Sequence, residues 1–507
     1  MLLSQSFRAL VLSFCFFAIL AIRFFNITNI GLSTPDGFYY WQMALDWMNG
    51  LIPESEHFRP FIYWLQSKLF LIFGPSDWIL RLFNGICDSG VGLLLIYLTW
   101  LMRKNLELAL TVAISYFSLF LPLFESARAD TIHAPSSFFL MTSAIFLIRW
   151  CRNLKPLELL LHGIFMSMAW HIHPDLAVLG AASAFILFIK LILSNRMSSG
   201  DFWKKGIINF SIFLIGYWSL FLVFAFKLGL NEMISTLLVN QKTQGKVAGT
   251  FIARLFNTSF TYIFENLGYF FTPLLLIAVA ILFYKIIKKR VTSHDLVLVI
   301  FPFTYLFFCA LLFSRFSIAR IFIPLVPILC AFILIQIYDV LKSKKNLLLI
   351  GVVTLGLLIN YKTLVLPFEQ PISEYKTVHK EFINTIKDDE KYLITPLSTF
   401  YIHSPLRKPV YLNGQGIYLT FTKEESLSEV VEKNHIRYVW IAEILHDPKV
   451  FEEYKKRSDS ERLKTLFNMD LDKYSRDEEI SKMKAFLNQI EAKLIYKTKI
   501  GELYELK

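Results

Sequence analysis

Two acidic positions stand where polar chemistry meets an apolar chain. Asp36 lies in Thr34-Pro35-Asp36-Gly37-Phe38-Tyr39-Tyr40-Trp41, at the head of an aromatic run. Asp130 lies in Glu125-Ser126-Ala127-Arg128-Ala129-Asp130-Thr131-Ile132-His133, a dense polar string between two apolar stretches. A carboxylate in such a place either caps the helix that follows or serves as a general base or metal ligand at the membrane–water boundary. Residue type and spacing leave both uses open. Tyr39 and Tyr40, beside Asp36, are further site candidates. A third string is His171-Ile172-His173-Pro174-Asp175. If Pro174 holds the backbone extended, the i, i+2 spacing brings both imidazoles toward one metal or phosphate. The alternative is a helix terminus with interfacial histidines, which Trp170 next door would suit.

The segments that must position these groups are strongly apolar. Hydrophobic residues make up 55% of the 507 positions, charged residues only 18%, and Phe alone fills 49. Soluble chains carry about 25% charged residues, so a disordered chain, a collagen and a coiled coil are excluded, and the composition argues against an ordinary cytosolic enzyme. Stretches of about 20 apolar residues, the length of a bilayer-spanning helix, recur about eleven times: 9–27, 82–101, 106–123, 135–150, 157–170, 176–193, 207–228, 267–287, 296–313, 321–341 and 347–366. The five cysteines lie in or directly beside such stretches and read as small buried hydrophobes.

The net charge of +12 could signal nucleic acid. The tail after Pro367 is nearly balanced, however, so the whole excess belongs to the apolar part. With the N-terminus inside and the spans alternating, every inside connection is basic: Arg103 and Lys104; Arg149, Arg152 and Lys155; Lys190, Arg196, Lys204 and Lys205; Lys285, Lys288, Lys289 and Arg290; and Lys342, Lys344 and Lys345. That is a membrane topology signal. It predicts a cytoplasmic N-terminus and an extracytoplasmic C-terminus, with Asp36, Asp130 and the His-Pro string on the outer face. No nucleic-acid partner is expected.

The fold class predicted is therefore a mainly α polytopic membrane protein of about eleven spans, with a C-terminal extracytoplasmic α/β domain. The division is 1–366 for the membrane domain and 367–507 for the tail. Within the former, 31–78 forms a first outer loop whose segments 38–47 and 61–73 have aromatics at helical spacing, as interfacial helices do. In the tail, 391–395, 409–412 and 435–442 read as strands and 492–506 as a hairpin turning at Gly501. Helices are expected over 375–388, 427–433, 450–467 and 477–487.

The series Asp36, then Phe58-Arg59-Pro60-Phe61-Ile62-Tyr63-Trp64-Leu65, then Phe73-Gly74-Pro75-Ser76-Asp77-Trp78-Ile79-Leu80-Arg81-Leu82, then Arg128-Ala129-Asp130 resembles the C-type (GT-C) polyprenyl-phosphate-sugar glycosyltransferases. The branch it is most similar to holds the protein O-mannosyltransferases and the lipid A aminoarabinose transferase. Arg320 before the Pro324/Pro327 helix and the mixed tail extend the resemblance over most of the chain. It implies an integral-membrane glycosyltransferase of the inner (plasma) membrane. Such an enzyme moves a sugar from a polyprenyl-phosphate donor to an envelope acceptor (lipid, glycan or protein) on the outer face, with inversion. By the same resemblance Asp36 deprotonates or orients the acceptor, Asp130 shares that acceptor or a divalent metal ion with it, and Arg59, Arg128 and Arg320 bind the donor phosphate. No other cofactor is implied, and neither a Walker nor a GxGxxG motif is present. Gly37 stands where the aminoarabinose branch has a second acid, Tyr39 where it has a base, and Phe58-Arg59-Pro60-Phe61 shifts the basic residue of a Lys-Pro-Pro motif. These departures argue against the lipid A enzyme itself and leave the sugar open. The rival classes are a lipid-linked sugar flippase or other transporter, and an oligosaccharyltransferase or ligase-type enzyme.

Overall fold

The computed structural model describes residues 5–24, 35–50, 59–75, 77–119, 132–193, 199–231, 233–234, 251–288, 290–312, 319–340, 391–395, 409–410, 431–432, 435–442, 484–498 and 501–506, with isolated positions between them. The membrane part is a bundle of helices: α1 Gln5–Phe24, α2 Pro35–Met48, α3 Pro60–Phe73, α4 Asp77–Arg103, α5 Leu106–Phe117, α6 His133–Asn153, α7 Pro156–Ile172, α8 Leu179–Leu193, α9 Ser199–Leu228, α10 Phe251–Ile287, α11 Ser293–Leu312 and α12 Val326–Val340. Short 3-10 turns at Pro174–Val178 and Ala319–Leu325 lead into α8 and α12. The first ten apolar stretches each fall on a helix; the eleventh, 347–366, lies almost wholly outside the described residues. Among the described residues five helices are long and apolar enough to cross a membrane.

Burial shows how apolar periodicity sorts the helices. On α1, Leu12, Phe16 and Ile19 are buried at helical spacing while Leu10, Phe14 and Phe17 face outward. That is a one-sided helix at the rim of the bundle. On α12 every residue from Val326 to Ile337 is buried, as in a helix that is apolar all round. The tightest crossing joins α7 to α9. A Cβ on Gly216 would lie 2.5 Å from the Leu160 carbonyl oxygen, and one on Gly163 would lie 2.6 Å from that of Phe213. Only glycine lets these backbones approach so closely.

Local signals place the helix ends. Pro60 opens α3 at its first position and Gly74, at φ 82°, ends it. Leu154, at φ 53°, turns the chain between α6 and α7, and Pro156 starts the latter. His173 is extended (φ −129°, ψ 90°) before Pro174, and there α7 stops. In α10 the backbone leaves helical geometry at Gly268.

One end of the bundle is closed by charge. Arg103, ending α4, donates to both oxygens of Asp339 at 3.0 and 2.7 Å. Lys285, near the end of α10, donates to the same carboxylate at 2.8 Å and to Gln336 Oε1 at 2.7 Å. Gln336 donates to Asp295 at 2.8 Å, and the other Asp295 oxygen accepts from the Thr292 backbone and hydroxyl in a cap on α11. On the neighbouring helix pair Arg149 of α6 meets Glu158 of α7 at 3.0 Å. These are the ends that the charge pattern assigns to the inside.

The tail strands are β1 Lys391–Thr395, β2 Pro409–Val410, β3 Ile436–Ala442, β4 Lys493–Thr498 and β5 Gly501–Glu505. They form one sheet in the order β2-β1-β3-β5-β4, parallel across β2-β1-β3 and antiparallel at β3-β5-β4. The sequence placed these strands within two residues. The expected helices at 375–388 and 450–467 lie outside the described residues. On β5, burial alone would raise the Glu502 carboxyl, but hydrogen bonds from Lys497, Tyr504 and Lys484 outweigh it and hold the group at about 2. A carboxyl depressed in the folded state adds stability above its unfolded value, and that stability drains away as pH falls toward the folded value. Protection factors of the amides of 493–498 and 501–505, corrected for the pH dependence of intrinsic exchange, are therefore expected to fall between about pH 4.5 and pH 2, and Glu502→Gln to lessen that fall. A profile unchanged by the substitution would contradict the assignment.

Candidate active site

At the end opposite Asp339, the starts of α2, α3 and α6 and the end of α7 come together. Arg59 is the residue just before α3, and its Nη1 donates to the Tyr40 hydroxyl at 2.6 Å. Its guanidinium lies 5.5 Å from the Tyr40 ring centre, and the Tyr40 and Tyr63 rings are 6.1 Å apart. Tyr40 is in α2, one turn after Asp36. The backbone of Asp36 therefore lies one helical turn from the Arg59–Tyr40 hydrogen bond. α2 begins at Pro35, which puts Asp36 inside its first turn rather than at the cap. A carboxylate is favoured there by the helix dipole.

The second half of the cluster comes from α6 and α7. The His173 Nδ1 is 3.7 Å from an Asp175 oxygen, and its ring centre is 5.5 Å from that of His133, the first residue of α6.

The two histidines of the string have different surroundings. His171 remains helical, its Nδ1 donates to the Ser167 carbonyl at 2.8 Å, and its ring packs on Trp170 and Phe224. His173, released from the helix by Pro174, turns to His133 instead. The partner was the last residue of the Glu125–His133 string, but no local spacing relates 133 to 173.

Other candidates are placed by backbone only. Tyr39 is on α2, and Arg320 is in the 3-10 turn that opens α12, away from Asp339. The expected sites Asp130 and Arg128 lie outside the described residues. Among the described residues no group of three or more His, Cys, Asp or Glu is arranged to hold a metal ion. One polar feature carried no role in the sequence. On α4, Arg81, Asn84 and Asp88 are buried on one face, and Asp88 accepts from the Tyr116 hydroxyl at 2.6 Å. Their i, i+3, i+7 spacing was the available signal.

The architecture is the fold of ArnT, and among the described residues five helices have the length and composition of membrane spans. The chain is similar to the structure of ArnT from Cupriavidus metallidurans bound to undecaprenyl phosphate, at 10% identity and a TM-score of 0.58 over 96% of this chain and 97% of that one. The apo form of ArnT aligns with a TM-score of 0.59. An oligosaccharyltransferase from Archaeoglobus fulgidus, in complex with zinc and sulfate, aligns at 14% identity and a TM-score of 0.50 over 84% of this chain and 68% of its own. In sequence, an uncharacterized protein of Aquifex aeolicus (strain VF5) is 24% identical over 388 residues, covering 75% of this chain and 80% of that protein. No family model matches.

Proposed function

We propose that the protein is an integral-membrane glycosyltransferase that moves a sugar from a polyprenyl-phosphate donor to an envelope acceptor on the extracytoplasmic face. The observation that supports this reading is the Arg59–Tyr40 hydrogen bond, one helical turn from the backbone of Asp36, in a fold shared over 96% of the chain with ArnT bound to undecaprenyl phosphate. The donor phosphate meets Arg59, whose planar donors suit it. Asp36 takes the proton of the acceptor hydroxyl as the oxygen attacks the anomeric carbon. Direct displacement inverts that carbon, and the lipid phosphate leaves against Arg59, Arg128 and Arg320. Asp130 shares the acceptor with Asp36.

The same reading takes the Asp339 end of the bundle as cytoplasmic, because Arg103 and Lys285 of the basic connections lie there. It takes eleven spans in the inner membrane as the way to put 1–366 in the bilayer and 367–507 outside. Deletion of the protein tests the proposal in cells. Mass analysis of the envelope is expected to lose one sugar substituent and to gain the unused lipid-linked donor. An unchanged envelope with no donor build-up would count against it.

A further inference from the structure

A lipid phosphate binds best to a cation that is already in place. Ordering one long, rotamer-rich side chain at the moment of binding weakens affinity by roughly two- to tenfold. An arginine avoids that loss only where its surroundings fix the guanidinium beforehand.

Resting on the glycosyltransferase reading, we propose that Tyr40 is a positioning residue, which holds the Arg59 guanidinium ready for the phosphate of the lipid-linked donor. The Tyr40 hydroxyl accepts from Arg59 Nη1 at 2.6 Å, and the guanidinium lies 5.5 Å from the centre of the same ring. Both contacts act on the charged head of the arginine, and the partner is a neutral phenol. The bond therefore orients the cation without cancelling its charge, whereas a carboxylate in the same place would compete with the phosphate. The clamp is itself held. Tyr40 is buried, and its ring lies 6.1 Å from that of Tyr63, which is fully buried in the first turn of α3. The Arg59 backbone is fixed by the same helix: its carbonyl accepts from the Tyr63 amide at 3.4 Å, and Pro60 restricts the residue before it. Tyr40 thus fastens α2 to the head of α3, with Asp36 one turn earlier along α2.

The test titrates undecaprenyl phosphate and undecaprenol, its phosphate-free counterpart, against the full chain in lipid nanodiscs. The variants are Tyr40→Phe, Arg59→Gln and the two combined. Tyr40→Phe is expected to weaken undecaprenyl phosphate about fivefold and to leave undecaprenol unchanged. Arg59→Gln is expected to weaken the phosphate lipid by about tenfold or more. Adding Tyr40→Phe to Arg59→Gln should then cost nothing further, because the hydroxyl acts through the guanidinium. Tyr40→Leu supplies the variant without a hydroxyl if the Phe protein does not fold. Equal loss for both lipids would mean that Tyr40 only shapes the fold, and would overturn the inference. So would a fivefold further loss in the Arg59→Gln background, or wild-type affinity for the phosphate lipid in Arg59→Gln alone. Wild type with no preference for undecaprenyl phosphate over undecaprenol would overturn the glycosyltransferase reading and this inference together, whereas a wild-type preference that survives Tyr40→Phe intact would overturn the inference alone.

Discussion

Asp36→Asn is expected to lower sugar transfer by about a thousandfold, with the protein still inserted in the membrane and folded. The size follows from what a positioned general base contributes, about 10²–10⁴ in rate. The amide keeps the shape of the side chain and its place in the first turn of α2 but cannot take the acceptor proton. Helix stability changes little, because a carboxylate in that turn adds only about 0.3–1 kcal/mol through the dipole. The two consequences separate cleanly in a membrane preparation, where transfer is measured beside monodisperse yield. If Asp36→Asn transfers at the wild-type rate, Asp36 merely starts a helix and its assignment as the base is wrong.

The second large effect falls at the opposite end of the bundle. Asp339→Ala removes the one carboxylate that takes hydrogen bonds from both Arg103 and Lys285. Two cations then share a half-enclosed space with only Asp295, at 4.0 Å from Arg103, to offset them. Breaking a fully buried pair costs about 3–5 kcal/mol. Asp339 is 26% exposed, so a loss of about 2 kcal/mol is expected. Temperature-ramped size-exclusion of the purified protein should show earlier loss of the monodisperse peak, and Asp339→Glu should recover part of it. Unchanged thermal behaviour would mean that water and lipid headgroups satisfy Arg103 and Lys285 as well as the carboxylate does. The end is remote from Asp36, so transfer per folded molecule should be retained.

Much of this architecture was legible because the chain repeats a simple signal. Apolar runs of span length, with Lys and Arg at alternate ends, located helices without any knowledge of their partners. The outer-loop helices were visible from aromatics at 38–47 and 61–73, and α2 and α3 contain both segments. Alternation in the tail was enough for β1, which matches its expected bounds, and for the hairpin. Contacts between distant residues were another matter. Arg59 and Tyr40 are 19 positions apart and meet only because the starts of α2 and α3 lie side by side. Arg103 and Asp339 are 236 apart, and their charges read from sequence as two topology labels rather than one ion pair. Pro174 does extend the backbone, as expected, so His171 stays in the helix and His173 leaves it.

The most direct measurement reconstitutes the purified protein in proteoliposomes with an undecaprenyl-phosphate-linked radiolabelled sugar and an envelope extract as acceptor. The account predicts that label leaves the undecaprenyl carrier for the acceptor with its anomeric configuration inverted. It also predicts that undecaprenyl phosphate appears in equal amount and that both products vanish in Asp36→Asn. Movement of the intact sugar-lipid across the bilayer with no transfer, in wild type and variant alike, would contradict it.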